Sequence, residues 1–250
     1  MFSKLKKALF GSAKKETTSI QHGRFTGDGM FIKSRNLSWL TEPSFVKSYA
    51  KGISSGHRWG PELHVEWRVH VILWAASHAM HLEGDFVECG VNTGIFSLAI
   101  CDHLKFEKSE RKMYLFDTFS GAPESMMRDT EKQKRVEENN LYYPDCYELA
   151  QKNFASYPNV RLVRGRVPES LSTVQIEKVA YLSIDMNIAE PERAAIEHFW
   201  PKLSSGAIVV LDDYGWRGFE EQHRTMDEFA VRHQVKIVTL PTGQGILIKP

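Results

Sequence analysis

Three aspartates that follow two short apolar segments are the residues of this chain best suited to chemistry. Asp185 follows VAYLSI, and Asp212 and Asp213 follow GAIVVL. If these segments are adjacent parallel strands, their ends lie about 5 Å apart and bring the three carboxylates together. Unpaired carboxylates would repel one another, whereas a hard divalent cation such as Mg²⁺ prefers oxygen ligands. The sequence predicts a metal site here, although one aspartate could instead cap a helix or bind a backbone amide.

The predicted metal site has a use in the chemistry of hydroxyl groups. A divalent cation can bind two neighbouring hydroxyls of a substrate and lower the pKa of one of them. A nearby base then assists the departure of the proton, and Asp185 is the first candidate for that role. His223 is the second candidate, because it lies in the helix that follows the metal loop. A histidine on an amphipathic helix is more often a surface residue, so its role stays open.

A glycine-bearing turn follows the first predicted strand. Gly90 and Gly94 allow the backbone to turn sharply and to approach a ligand closely. The helix that begins near Thr93 offers free amides to a carboxylate or phosphate, and Glu88 can accept a hydrogen bond from an ammonium group. The pattern E-x-G-x-x-x-G lacks the glycine spacing of a dinucleotide-binding turn and the lysine of a P-loop. An amino-acid-bearing cofactor such as S-adenosylmethionine fits it, although an ordinary structural turn explains the motif alone about as well.

Two further predicted strands end in residues that suit the nucleoside part of such a cofactor. Asp117 can accept hydrogen bonds from both ribose hydroxyls, unless it caps a helix or lies in a solvated turn. Phe119 follows it as a candidate wall for the adenosine, and Gly165 and Arg166 lie where a third loop would meet the adenine. The predicted cofactor contacts are Glu88, Gly90, Asn92, Thr93, Gly94, Asp117, Thr118, Phe119, Gly165, Arg166, Val167 and Asp185.

Alternating strands and helices from Asp85 onward would position these residues. Five apolar segments predict parallel strands, with helical segments between the third and fourth and between the fourth and fifth. Two more strands, joined by PTGQ, are too close together for a crossover helix, so they should form an antiparallel hairpin. The predicted α/β fold has a seven-stranded, mostly parallel sheet with helices on both faces, and it resembles the Rossmann-like class I methyltransferase fold. The seven segments are DFVECG, KMYLFD, NVRLVRG, VAYLSID, GAIVVLDD, KIVTL and GILIKP.

The remaining segments complete the predicted organisation. Residues 1–55 suggest a tail and an N-terminal cap, and residues 56–250 suggest the cofactor-binding domain. Within that domain, residues 120–147 suggest a lid-like insertion, whose charged run EKQKRVEENN predicts a solvated helix face. The basic start, MFSKLKKALFGSAKK, could touch an anionic membrane surface, but a frayed, solvated tail is the favoured interpretation.

Residues 62–81 carry apolar groups at helical spacing. Pro61 suits the first turn of such a helix, because proline tolerates that position. Trp67 and Trp74 share its apolar pattern and are predicted to belong to the core.

Composition excludes several classes of function. Lys plus Arg (32) nearly balance Asp plus Glu (31), so no strong field directs the chain to nucleic acid. No apolar run is long enough to span a bilayer. The three cysteines show no metal-type spacing, and their odd number argues for a reducing, cytoplasmic setting. The sequence leaves the oligomeric state open, including a homo-oligomer.

These motifs together resemble the macrocin O-methyltransferase family, whose members methylate sugar hydroxyls of natural products. The resemblance covers about residues 60 to 250 and is most specific in FDTFSG and LDDYG, in that order. It implies S-adenosylmethionine and Mg²⁺ as cofactors and a hydroxylated acceptor, such as a sugar or glycoside. The other matching stretches are FVECGVNTGIFS, LVRGRVPESL, LSIDMNIAEPE, the helix with MDEF, and PTGQGILIKP.

The resemblance also assigns residues. Glu88, Gly90 and Asp117 correspond to cofactor contacts, and the three aspartates correspond to metal ligands, with Asp185 also a base. Many relatives carry a second acid two residues after the first aspartate, where this chain has Asn187. An amide oxygen could still bind the metal directly or through water, but it cannot act as a base.

Two other functions remain open at this point. An NAD(P)-dependent oxidoreductase could use a similar sheet, but the chain has no G-x-G-x-x-G turn. A non-catalytic relative could bind the cofactor without turnover, for instance as a sensor. Three converging carboxylates disfavour that interpretation, because a binding module does not need them.

Overall fold

The computed structural model describes residues 23–58 and 63–250. The basic N-terminal segment and Pro61 therefore lie outside the described residues. In the part of the chain that is described, no helix has the length and apolar character needed to cross a membrane.

Two sheets occur in residues 23–58 and 63–250. Strands β1 and β2 pair as a small antiparallel hairpin, and the other strands form one sheet of seven in the order β5-β4-β3-β6-β7-β9-β8. The strands are β1 (Phe25–Gly27), β2 (Met30–Ile32), β3 (Asp85–Cys89), β4 (Met113–Asp117), β5 (Val160–Arg164), β6 (Val179–Ile184), β7 (Leu203–Leu211), β8 (Val238–Thr239) and β9 (Gly245–Ile248).

The main sheet has the predicted class I methyltransferase architecture. Strands β5, β4, β3, β6 and β7 are parallel neighbours, and β9 pairs antiparallel with both β7 and β8. The reversal follows from the short connection between β8 and β9, which leaves no room for a crossover helix. The predicted fold class, including its C-terminal antiparallel hairpin, is confirmed.

Helices cover both faces of this sheet. Every residue of β6 is buried, as expected for a central strand that is covered on both sides. Alternate residues of β3 show the two sides: Phe86 belongs to the core cluster beneath α2 and α3, and Val87 belongs to the cluster beneath α6 and α7. The helices are α1 (Pro43–Ile53), α2 (Glu66–Ala79), α3 (Ile95–Leu104), α4 (Asp129–Tyr142), α5 (Tyr147–Phe154), α6 (Ala189–Phe199) and α7 (Glu220–Arg232).

Helix α1 packs closely on α3. A Cβ at Gly52 would lie 2.4 Å from the carbonyl oxygen of Ile95, so only glycine allows this approach. Ser48 donates a hydrogen bond to Asp102 across the same contact, over 3.1 Å. This part of the N-terminal region is therefore packed against the helix layer of the sheet. The domain boundary near residue 55 stays a prediction.

Three details of the predicted elements were wrong. The connection from β5 to β6 contains only a 3₁₀ helix, Glu169–Thr173, in place of a longer helix. Helix α2 begins at Glu66, later than predicted. Trp74 is 54% exposed, whereas Trp67 packs edge-on against Phe25. The buried stripe of α2 includes Ile72, and a residue two positions further along an α-helix points to the opposite side.

Candidate functional site

The carboxyl ends of β3, β6 and β7 bring the three predicted metal ligands together. Backbone hydrogen bonds extend beyond the strands: the amide of Asp185 donates to Cys89 (2.8 Å) and that of Asp212 to Ile184 (3.0 Å). One carboxylate oxygen from each of Asp185, Asp212 and Asp213 lies within 4.8 Å of the others. Asp212 and Asp213 are buried, and Asp185 is partly exposed. We call these three residues the acidic group.

The partners within the protein satisfy only part of the carboxylate oxygens of the acidic group. Asp212 accepts hydrogen bonds from Arg68 (2.7 Å) and Gln244 (3.0 Å), one on each oxygen. In contrast, Oδ2 of Asp213 is buried and has no hydrogen-bond partner. A buried carboxylate oxygen without a partner is costly, and a cation would remove that cost. The donor set of oxygens alone fits a hard divalent cation.

The pKa values of Asp213 and Asp185 are both raised, which agrees with an excess of negative charge in the group. Burial, followed by the charge of Asp212, raises the pKa of Asp213 to about 7. Burial and the charges of Asp212 and Asp213 raise the pKa of Asp185 well above its usual value. A divalent cation among these oxygens would favour their ionised forms.

The glycine turn after β3 is in direct contact with this group. Gly90 has φ +91°, and a Cβ there would lie 1.7 Å from the carbonyl oxygen of Asp185. Gly94 has φ +97°, and a Cβ there would lie 2.5 Å from the ring of Phe154. Both positions therefore require glycine for steric as well as conformational reasons. The turn that the sequence predicts lies beside Asp185, at the start of α3.

Asp117 fastens the glycine turn to the end of β4. Its Oδ2 accepts hydrogen bonds from the backbone amides of Val91 (2.6 Å) and Asn92 (2.7 Å). Its Oδ1 accepts one from the amide of Phe119 (2.7 Å). Oδ1 also accepts a long hydrogen bond from the hydroxyl of Thr118 (3.3 Å). A carboxylate accepts about four hydrogen bonds in all, so a ribose would have to compete with partners that Asp117 already has. The sequence analysis allowed Asp117 a structural role as a helix cap or in a turn, but it did not identify the amides of Val91 and Asn92 as its partners.

Glu88 lies beneath the turn and is almost fully buried. Its side chain is 2% exposed and accepts a hydrogen bond from the hydroxyl of Ser97 on α3. Burial raises the pKa of Glu88 to about 8, although the hydrogen bond from Ser97 opposes this increase. Contact between Glu88 and a cofactor ammonium group stays a prediction.

A groove of about 660 Å³ opens beside the end of β4 and the loop after β5. Of the predicted cofactor contacts, Thr118, Gly165 and Arg166 line it. Phe119 and Val167 are instead buried, 1% and 4% exposed, and belong to the hydrophobic core on the two faces of the sheet. The whole lining consists of Thr118, Ser120, Gly121, Ala122, Pro123, Glu124, Asn139, Asn140, Tyr143, Pro144, Asp145, Arg164, Gly165 and Arg166.

Asn92 and Thr93 belong to the glycine turn and are held by local contacts. The side chain of Asn92 accepts a hydrogen bond from the amide of Thr93 (2.7 Å). The buried hydroxyl of Thr93 forms a hydrogen bond with that of Ser55 (2.9 Å), which joins the turn to the segment after α1.

Helix α4, within the predicted insertion, is anchored by buried charges. Glu131 accepts a hydrogen bond from the amide of Ala189, the first residue of α6, over 2.9 Å. Arg135 donates to the carbonyl of Gly218 (2.7 Å), and its guanidinium lies 3.8 Å from the ring centroid of Phe219. The run EKQKRVEENN is therefore helical but only partly solvated, because two of its charged residues are buried against neighbouring loops. Helix α4 is thus attached to the start of α6, which follows β6, and to the loop that follows β7.

Tyr143 connects the insertion with the acidic group. It lines the groove, and its pKa is raised by burial and by the charges of Asp185 and Asp213. Tyr143 therefore lines the groove and is within electrostatic reach of the acidic group.

His223 is not a member of the acidic group. Its Nδ1 lies 2.7 Å from the carbonyl oxygen of Tyr214, and its ring stacks on the ring of Tyr214 with centroids 4.2 Å apart. Its Nε2 lies 3.3 Å from a carboxylate oxygen of Asp227. Both ring nitrogens thus have nearby partners outside the group. Its catalytic role stays a prediction.

Two residues that the sequence analysis missed complete the surroundings of Asp212. Arg68 comes from α2, and Gln244 comes from the turn between β8 and β9. Gln244 is fully buried, and its oxygen accepts a hydrogen bond from the hydroxyl of Thr242 over 3.0 Å. In the sequence, Arg68 is a charged residue inside an apolar helix and Gln244 is a glutamine in a short turn. Neither feature indicates which residue would be its hydrogen-bond partner.

Comparison with known proteins places these features in context. The family model described as Macrocin-O-methyltransferase (TylF) matches residues 73–239. The chain is 28% identical over 138 residues to 8-demethyl-8-(2,3-dimethoxy-alpha-L-rhamnosyl)-tetracenomycin-C 4'-O-methyltransferase of Streptomyces olivaceus, covering 52% of this chain and 53% of that protein. It is 27% identical over 144 residues to mycinamicin III 3''-O-methyltransferase of Micromonospora griseorubida, covering 52% and 55%. The chain thus spans about half the length of these curated relatives.

Solved structures show the same fold. The O-methyltransferase NovP superposes with a TM-score of 0.71 at 20% identity, covering 85% of this chain and 99% of that one. The calicheamicin methyltransferase CalS11 superposes with a TM-score of 0.59 at 17% identity, covering 95% and 99%. At these identities the likeness establishes the architecture alone.

Proposed function

The chain belongs to the macrocin O-methyltransferase family, and from that membership we propose that it transfers a methyl group from S-adenosylmethionine to a hydroxyl of a sugar or glycoside. The observation that supports this most strongly is the contact between the glycine turn and the acidic group at one edge of the sheet. The name of one relative specifies a rhamnosyl-bearing tetracenomycin, which supports a glycoside as acceptor.

We propose that the glycine turn and the groove hold the cofactor. S-adenosylmethionine supplies a methyl group on a positively charged sulfur. The amides at the start of α3 suit its carboxylate, and Glu88 lies beneath the same turn. Thr118, Gly165 and Arg166 line a groove of suitable size for the adenosine.

Asp185, Asp212 and Asp213 are the proposed ligands of a divalent cation. Mg²⁺ suits them better than zinc, because the group contains only carboxylates. Bound there, the cation would lower the pKa of an acceptor hydroxyl. The unpartnered Oδ2 of Asp213 supports this assignment independently of the family.

Asp185 remains the first candidate for the base. Unlike Asp212 and Asp213, it is not a buried residue of the acidic group. Gly90 contacts the backbone of Asp185, and this contact places Asp185 beside the proposed cofactor site. Asn187 cannot take a proton in this way, and His223 is the second candidate.

We propose a cytoplasmic setting for this activity. Cys89, Cys101 and Cys146 are all free and buried, as in proteins that function under reducing conditions.

Calorimetric titration with S-adenosylhomocysteine, with Mg²⁺ present, tests the cofactor assignment first. We expect micromolar binding, followed by methylation of at least one member of a panel of rhamnosides and other glycosides, detected by mass spectrometry. Absence of binding to folded, ligand-free protein would remove the basis of the proposal. Binding without methylation of any hydroxylated acceptor would favour a non-catalytic relative.

A further inference from the structure

Arg68 is a buried cation that joins the acidic group to the N-terminal hairpin. Its side chain is 16% exposed. Its Nη1 donates to Oδ2 of Asp212 over 2.7 Å. Its Nε and Nη2 donate to the two oxygens of Asp28, each over 2.8 Å, in the paired geometry that arginine forms with a carboxylate. One guanidinium is therefore shared between two carboxylates.

Asp28 lies at the turn between β1 and β2, and that turn rests on the loop after β7. Asp28 and Gly29 both have positive φ, +50° and +73°, which forms the tight reversal. A Cβ at Gly29 would lie 3.6 Å from the ring of Trp216, in ordinary contact. Arg68 lies 5.5 Å from the ring centroid of the same tryptophan. The hairpin turn thus holds Arg68 from the side opposite Asp212.

The carboxylates around Arg68 outnumber its single positive charge. The acidic group carries three negative charges when it is fully ionised, and Arg68 shares its one positive charge between Asp212 and Asp28. When all are ionised, Arg68 and the four carboxylates (the acidic group and Asp28) together carry three net negative charges, and a divalent cation balances two of them. Arg68 and a cation bound by the acidic group therefore share one carboxylate.

We propose that Arg68 is a built-in counter-ion of Asp212 that weakens cation binding, and that Asp28 limits this effect by drawing on the same guanidinium. The inference rests on the proposed function, because it assumes that the acidic group is the metal site. Two cations on one carboxylate repel each other, and this repulsion is larger in a buried site than in water. In the cation-free protein, Arg68 supplies part of the neutralisation that the cation otherwise provides.

The two partners of Arg68 should affect cation binding in opposite directions. Replacement of Arg68 by methionine keeps much of the apolar stem and removes the competing charge. The cation-free protein is destabilised because Asp212 loses its counter-ion, and cation binding compensates for that loss. Replacement of Asp28 by asparagine leaves the charge of Arg68 facing Asp212 alone. If Arg68 and Asp28 had only structural roles, both substitutions would shift the cation affinity in the same direction.

Calorimetric titration of Mg²⁺ into the full chain saturated with S-adenosylhomocysteine measures these effects directly. We expect Arg68→Met to bind Mg²⁺ about tenfold more tightly than the unchanged protein, and Asp28→Asn to bind it about threefold more weakly. Arg111→Met is the matched control. Arg111 donates to the carbonyls of Ala79, Met80 and Gly84 at the opposite edge of the sheet, so its loss destabilises the fold without altering Mg²⁺ affinity.

The titrations test the proposed metal site and the proposed effect of Arg68 separately. Absence of Mg²⁺ binding by the unchanged protein would overturn the proposed metal site and this inference together. Binding by the unchanged protein, with equal or weaker binding by folded Arg68→Met, would overturn the inference and leave the metal site standing. If Arg68→Met does not fold, Asp28→Asn decides, and equal or tighter Mg²⁺ binding by that variant would overturn the inference.

Discussion

The two halves of the carboxyl edge differ in how completely the protein satisfies its own polar groups. In the cofactor half, Asp117 accepts hydrogen bonds from two backbone amides of the glycine turn and from the amide of Phe119 in its own loop. In the metal half, Asp213 has a buried oxygen without a partner, and the pKa of Asp185 is raised well above its usual value. The first half is assembled by hydrogen bonds within the chain. The second half retains an excess of negative charge that a cation would balance.

This difference indicates which half depends on a ligand for its own stability. A turn held by backbone amides keeps its shape whether or not a cofactor is bound, which lowers the cost of binding. A cluster of carboxylates is repulsive until it is protonated or binds a cation. Substitutions in the two halves should therefore have opposite effects on stability, and the following predictions use that contrast.

The largest effect is expected for Asp213→Asn in the metal half. The change removes a charge but keeps the shape, so methyl transfer should fall about a thousandfold while affinity for S-adenosylhomocysteine stays within about threefold. The cation-free variant should also be more thermostable, because repulsion within the acidic group is relieved. Initial rates and thermal melts measure both quantities.

Asp129→Asn is the control for that variant, because the side chain of Asp129 is 98% exposed and pairs with Lys132 at the surface, outside the acidic group. A normal rate for Asp213→Asn with Mg²⁺, or a lower melting temperature than that of the unchanged protein, would contradict the contrast between the halves.

A smaller effect is expected for Asp117→Asn in the cofactor half. An asparagine has one acceptor oxygen in place of two, so at least one of the three amides loses its partner. Stability should fall by about 2 kcal/mol, and affinity for S-adenosylhomocysteine should fall by about tenfold or more. Denaturant unfolding and calorimetry measure the two losses. Mg²⁺ affinity should change little.

Asp85→Asn provides a comparison with the same chemistry elsewhere in the fold. Asp85 accepts a hydrogen bond from the amide of Lys112 (2.9 Å) at the amino end of β4. The variant should lose some stability but no cofactor affinity. Equal cofactor affinity of Asp117→Asn and the unchanged protein would show that the glycine turn does not need Asp117.

The pH dependence of stability should also separate the halves. The pKa of Asp213 is raised in the folded protein to about 7, so folding favours its protonated form. That contribution to stability is complete below the unfolded-state pKa, about 3.9, and is lost as the pH rises through about 7. Above pH 7, Mg²⁺ should restore the lost stability, whereas near pH 5 it should have little effect.

Thermal melts of the unchanged protein and Asp213→Asn, each with and without Mg²⁺, isolate this contribution. Other groups titrate in the same range, so the difference between the two proteins is the relevant quantity. A difference that stays constant between about pH 5 and pH 8 would contradict the raised pKa of Asp213.

The smallest effect is expected for His223→Gln. The ring of His223 stacks on Tyr214 and has partners on both nitrogens, so its removal should cost about 1 kcal/mol of stability. Methyl transfer should change less than about threefold if Asp185 is the base, and Asp185→Asn should reduce it far more. A strongly reduced rate for His223→Gln with normal Mg²⁺ affinity would instead favour His223 as the base.

The sequence predicted those parts of the site that follow from strand ends. Asp185, Asp212 and Asp213 meet because parallel strands bring their carboxyl ends to one edge, and that geometry depends only on strand identity and order. The glycines of the turn were recognisable because no other residue adopts their backbone conformation easily. The antiparallel hairpin followed from the length of one connection.

The parts that the sequence did not predict depend on contacts between distant segments. Arg68 and Asp212 are 144 positions apart, and nothing near either residue specifies the other. Asp117 suggested a ribose ligand, but its amide partners lie 25 and 26 positions earlier in the chain. Trp74 followed the apolar pattern of its helix, yet the buried stripe lies on the other side. Side-chain direction and partner choice are settled by tertiary packing, which local pattern does not contain.

The most direct test of the central claim is the rate of methyl transfer from S-adenosylmethionine to a glycoside acceptor in Mg²⁺ and in excess chelator. The claim is that the acidic group acts as a cation site beside a preformed cofactor site. The expected result is transfer in Mg²⁺, loss of transfer in chelator and unchanged affinity for S-adenosylhomocysteine in both conditions. Equal rates of transfer in Mg²⁺ and in chelator would contradict the account.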